Sequence, residues 1–147
     1  MAVEDGGSSG AEAHSPLPRL LADTAQLVSL GDDAPAGALW KLAEPGRQLD
    51  ANVVRLPGGG RVDPHTEPDL DVLLLVLDGE ARLDSADGGH PLRAGVLTWL
   101  PHGSTRAVLA GPDGVTYLTV HRRRPGMRIQ PPEAADRLRR PLGGDGA

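Results

Sequence analysis

Apolar residues along this chain fall into two regimes. In PRLLADTAQLVSL, residues 18 to 30, they stand at Leu20, Leu21, Ala25, Leu27, Val28 and Leu30, a spacing that predicts a short helix. From Ala38 to Arg122 they come instead in short segments: ALWKLA, QLDANVVRL, DVLLLVLDG, EARLDS, HPLRAG, VLTWLP, HGSTRAVLAG and VTYLTVHRR. Between these lie PGGG, ADGG and PDG, which are turn chemistry. Segments so short and so regularly interrupted predict strands and tight turns, an all-β sandwich or small barrel. In the last of them, alternation puts Tyr117, Thr119 and His121 on one face and Leu118 and Val120 on the other. No internal repeat is evident.

The ends read differently. Residues 1–15 are Gly, Ser, Ala and acid with nothing to bury, and are expected to be a disordered tail. Residues 16–37 hold the short helix and the loop GDDAPAG as a linker, and residues 38–124 the barrel. Residues 125–147 form a Pro-rich tail with a short helical turn expected over PEAADRLRR and a flexible GGDGA end.

Composition narrows the function classes. The 147 residues suit one domain with a real core. A formal charge of −5 and a pI near 5.4 argue against nucleic acid as a partner, because phosphate binding needs a basic face. Trp40, Trp99 and Tyr117 are the only aromatics, so the core must be built from Leu, Val and Ala, and no stacking platform for single strands is available. The absence of cysteine excludes disulfides, thiolate catalysis and Cys-ligated metal. The start MAVEDGGSSG is acidic where a secretory signal would be basic and then apolar, and the apolar run Val72–Leu77 is far short of the ~20 residues that span a bilayer. The expectation is a cytoplasmic protein without a membrane partner.

Chemistry concentrates at HTEPDLDV, His65 to Val72, where one histidine and three carboxylates precede the apolar run. These residues carry a family resemblance. Residues Gly59 to Ala110 resemble the two-motif signature of the cupins, small double-sheet jelly-roll barrels. The first motif runs G-x5-H-x-H-x3/4-E-x6-G, and here Gly59, His65, Glu67, Val72 and Gly79 fall on that spacing. The second runs G-x5-P-x-G-x2-H-x3-N, and here Gly95, Pro101, Gly103, Arg106 and Ala110 fall on it without gaps. The resemblance covers the middle of the chain and neither tail. It implies a cupin-like jelly-roll barrel, with Gly79 and Gly95 where strands reverse and positive φ is needed.

In metal-binding cupins three histidines and a glutamate from these motifs hold a divalent ion inside the barrel. This chain keeps the turns and changes the ligands. His65 is in place, Glu67 stands for the second histidine, Val72 for the glutamate and Arg106 for the last histidine. A guanidinium stays protonated and has no free lone pair, so Arg106 would repel an ion. No metal cofactor is therefore expected. A one-residue slip would put Asp71 where Val72 stands, and His65, Glu67, Asp71 and His102 would then be an alternative set for Mn, Fe, Zn or Ni. Strict spacing is preferred, although VLLLVL is apolar on both faces and does not veto the slip.

If the fold holds, Glu67 and Arg106 should face each other as a bidentate ion pair with His65 beside them. His121 is an additional ligand or proton-transfer candidate if it points into the barrel mouth, and a structural histidine otherwise. His102 reads as a solvent-facing turn residue, His90 as part of a turn, and the run His121–Arg124 as a solvated strand end. Ser104 and Thr105 lack a nearby base. The leading expectation is a cupin-like protein without a catalytic metal. It would bind a small polar or anionic molecule in the barrel through His65, Glu67, Arg106 and His121, in a sensing or accessory role. The alternative is a metal-dependent dioxygenase or isomerase. By resemblance, a homodimer formed through sheet edges is also expected, with DVLLLVLDG a candidate for the contact.

Overall fold

The computed structural model describes residues 16–124. The two predicted tails, with His14 and the helical turn over PEAADRLRR, lie outside the described residues. The N-terminal helix is shorter than its apolar spacing predicts: α1 covers Thr24–Ser29 and none of its residues is buried. Asp23 sets its start, because the Asp23 carboxylate accepts the Ala25 N–H at 2.9 Å and caps the first turn there. Leu20 and Leu21 are left outside the helix and exposed.

The rest is antiparallel β-structure with the strands β1 Gly37–Lys41, β2 Leu49–Leu56, β3 Arg61–Thr66, β4 Val72–Ser85, β5 Gly88–Arg93, β6 Leu97–Leu100 and β7 Thr105–Arg122. Segments that the sequence separates are joined here. DVLLLVLDG and EARLDS become the single strand β4, and STRAVLAG and VTYLTVHR the single strand β7. All seven strands belong to one hydrogen-bonded array, and the partners of β4 and β7 change midway, which divides it into two half-sheets. The first half of β4 pairs with β6 and with the second half of β7, which also pairs with β2. The second half of β4 pairs with β5 and with the first half of β7, which also pairs with β3. At the bend the β4–β7 register jumps from Gly79↔Val115 to Ala81↔Ala110, so Gly111–Gly114 bulges out. Gly79 has φ 79 as expected, but it bends the strand between the two sheets rather than reversing it.

Inward-facing side chains alternate along both long strands. Val72, Leu74, Val76, Ala81 and Leu83 of β4 meet Val108, Ala110, Val115 and Tyr117 of β7 in one core. β3 escapes the apolar pattern because RVDPHT is an edge strand bonded only to β7. Its Pro64 sits in the irregularity between Val62 and His65, where no ladder N–H is required. β4 is paired on both sides over residues 72–75 and 81–85, with β7 on one side and β6 or β5 on the other. Among the described residues no helix is long and apolar enough to cross a membrane.

Candidate functional site

The two bent strands bring their far ends to one mouth. On one sheet the row Asp50–His121–Val72–Leu100 lies there, and on the other the row His65–Arg106–Ser85. The β3–β4 loop, residues 67–71, runs between them. That loop is clasped to the turn before β7. The Gly103 N–H donates to the Glu67 carbonyl at 2.7 Å, and the Asp71 carboxylate accepts from the His102 N–H at 2.9 Å and lies 2.7 Å from its Nδ1. Leu70 is buried beneath and anchors the loop.

The register question is settled by this geometry. Val72 belongs to the core and faces inward, while Asp71 is exposed and spends its carboxylate on His102. His102 is exposed as expected, but it is tied to Asp71 rather than free.

The predicted Glu67–Arg106 ion pair does not form. Glu67 is buried, but its Oε1 accepts the Asp69 N–H at 3.1 Å and its Oε2 accepts Nη2 of Arg124. Arg124 comes from the end of β7, which also places its N–H 3.4 Å from Asp50. The guanidinium of Arg124, not Arg106, neutralises the carboxylate. Sequence reasoning took Arg124 for a solvated strand end, and its pairing across 57 positions leaves no local signal. Arg106 still feels the Glu67 charge, which partly opposes the lowering of its pKa by burial.

Arg106 is 5% exposed and lies on the inner face of β7 in line with Val108 and Ala110. Its Nη1 reaches Ser104 Oγ at 3.3 Å and the Ser104 carbonyl at 3.4 Å. Among the described residues no carboxylate lies within ion-pair distance of it, and Nε and Nη2 have no recorded acceptor. The guanidinium lines a cavity of about 720 Å³ between the sheets, walled by Leu83, Leu92, Val96 and Leu100. Thr98, Ser104 and Thr105 also line it, and Ser85, Asp87 and His90 stand along the β4–β5 side. Sequence reasoning set Ser104 and His90 aside as non-site residues and did not single out Thr98. Of these, only Ser104 carried a usable signal, standing two residues before Arg106.

The other predicted site residues surround this cavity without lining it. His65 is exposed on the β3 edge opposite Arg106, with Nδ1 3.0 Å from the Asp63 carbonyl. His121 is opposite Val72 and therefore shares its inward face, with Nδ1 2.7 Å from the Arg122 carbonyl. The alternative metal set does not converge: Asp71 and His102 bind each other and Glu67 binds Arg124. Among the described residues no three His, Asp or Glu side chains are placed to share an ion. The residues present thus do not fit the divalent metal that the family resemblance implies.

The clasp makes an acid-sensitive prediction. The His102 backbone N–H, then its ring, lowers the pKa of Asp71 below its ordinary 3.8, and Arg124 and the Asp69 N–H lower that of Glu67 below 4.5. Depressed values mean that both carboxylates stabilise the fold above those ordinary values, and that this is lost as pH falls through the folded ones. Asp71→Asn should melt below the wild type at pH 7, and the difference should narrow from about pH 4 downward. A gap independent of pH would show that the Asp71 charge has no part in the clasp.

No family model matches the chain, and no curated protein matches it by sequence. Its structure is similar to solved ones. The cupin domain of Schizosaccharomyces pombe Cnp3 matches at 15% identity and TM-score 0.52 over 58% of this chain, which spans 59% of that chain. A sugar phosphate isomerase from a cupin superfamily of Silicibacter pomeroyi matches at 22% and 0.53, over 61% of this chain and 70% of its own. A cupin-2 domain containing protein from Shewanella frigidimarina matches at 18% and 0.55, over 69% and 94%. With seven antiparallel strands in one continuous hydrogen-bonded array and this likeness to solved cupin domains, the chain has the cupin fold.

Proposed function

We propose that this chain is a cupin-fold protein that binds a small anionic molecule in its barrel without a catalytic metal, in a sensing or accessory role. One observation carries the reading: the guanidinium of Arg106, a residue only 5% exposed, opens onto a cavity and has no carboxylate partner among the described residues. Burying a charge costs several kcal/mol unless it is paired. An anion entering the cavity supplies the missing partner. Fold alone does not choose between this and an enzyme, since one barrel hosts many chemistries.

Two measurements test the reading together. The purified protein is loaded in turn with manganese, iron, zinc and nickel, and its metal content is measured by elemental mass spectrometry. Melting curves are then recorded with small carboxylates. Metal near background is expected, together with carboxylate-dependent stabilisation that Arg106→Gln removes. About one ion per chain, lost in His65→Ala, would replace the reading with a metal-dependent enzyme.

A further inference from the structure

The cavity says more about its ligand than its sign. Resting on the reading above, we infer that the ligand is a monocarboxylate with an apolar body, its carboxylate held bidentate by Nε and Nη2 of Arg106 and its body against Leu83, Leu92, Val96 and Leu100.

Charge comes first. Among the described residues lining the cavity, Arg106 is the one arginine or lysine and Asp87 the one carboxylate. Ser85 Oγ, then His90 at 3.0 Å, hold Asp87 at a pKa of about 2, so it is charged at neutral pH. Arg106 can compensate one negative charge on a ligand, and the fixed charge of Asp87 in the same lining opposes a second. A phosphate dianion calls for further cations or a cluster of backbone donors, and no helix end opens here.

Hydrogen bonding decides the body. A polyol would surrender water contacts and need replacements from the walls. Nearly every hydroxyl there is committed. Ser104 donates its one proton to the Pro101 carbonyl at 2.7 Å, so it can only accept from Arg106. Thr105 bonds Thr66 at 2.6 Å, and Ser85 bonds Asp87. Among the described residues, Thr98 alone of the cavity hydroxyls has no side-chain hydrogen-bond partner. Apolar walls with a single cationic anchor suit an amphiphile, and about 720 Å³ lies within the range of ordinary ligand cavities.

The test compares acetate, butyrate and hexanoate with hexanamide, gluconate, glucose 6-phosphate and inorganic phosphate, by calorimetry on the full chain. Hexanoate should bind most tightly, gaining roughly fourfold per methylene over acetate. Hexanamide should bind at least about tenfold more weakly, since it lacks the charge-assisted pair. Gluconate, which keeps the carboxylate but hydroxylates the body, should not bind measurably, nor should either phosphate. The Arg106 Nε–H resonance should shift with hexanoate, a readout that needs no variant. Val96→Phe should move the optimum to shorter acids by filling the cavity. Arg106-dependent binding of gluconate or glucose 6-phosphate as tight as hexanoate would overturn the apolar class while leaving the anion site. Equal binding of hexanoate and hexanamide, or no binding and an unmoved Arg106 resonance, would overturn both.

Discussion

Replacing Arg106 by methionine is expected to raise the melting temperature of the unliganded protein and to abolish its stabilisation by hexanoate. The two effects share one cause. Arg106 is buried in line with Val108 and Ala110, where an apolar chain of similar length would add to the core. Among the described residues its charge is opposed only by long Nη1 contacts to Ser104 and by a Glu67 already neutralised by Arg124. Partial desolvation, which lowers its pKa, is not offset by a carboxylate ion pair, and replacing buried charge by apolar side chains is often neutral or stabilising. A gain of about 1 kcal/mol is expected, or about 4 °C for a domain of this size. Ligand affinity should fall by about a hundredfold, the worth of a bidentate charge-assisted contact. Melting curves with and without hexanoate check both halves. A variant that melts lower than the wild type would mean that the Arg106 charge is compensated within the fold, and the case for an external anion would collapse.

Gly79→Ala should be strongly destabilising, because strain and close approach coincide there. At φ 79 any side chain is strained, which costs about 1–2 kcal/mol. A Cβ at Gly79 would also lie 2.2 Å from the Gly114 carbonyl oxygen and 3.0 Å from Val115 Cα. Both are backbone atoms of the bulge where β7 changes sheets, and neither swings aside as a flexible side chain would. Overpacking of this kind typically adds 1–3 kcal/mol, so a total of about 3 kcal/mol is expected. Gly95→Ala provides the control: φ is 91 but no atom lies within 4 Å of the added Cβ. It should cost only about 1–2 kcal/mol. Urea denaturation of the two variants separates backbone strain from close approach. Equal losses would mean that β4 and β7 do not meet so closely at the bend. Because this bend sets one sheet over the other, Gly79→Ala should also loosen the cavity and weaken hexanoate binding.

Much of this protein was legible in the order of its residues. Short apolar segments split by DGG and PDG announced strands and turns, because period-two alternation and positive-φ glycines are local properties. The cupin spacing placed His65, Glu67, Val72 and Arg106 near one mouth, and the exclusion of Asp71 from the interior followed once β4 was paired. The choice of partner for each charge was not legible. Glu67 takes Arg124 rather than Arg106 because β7 ends beside the β3–β4 loop, and that adjacency exists only after both strands have bent between sheets. Likewise, β3 has too few apolar residues to declare itself and becomes a strand because β7 offers it an unpaired edge. The sequence by itself determined which residues could be strands and which side chains carry charge. Only the tertiary structure decided which charges meet and which one is left facing a cavity, because electrostatic pairing depends on distances of a few ångströms between residues far apart in the chain.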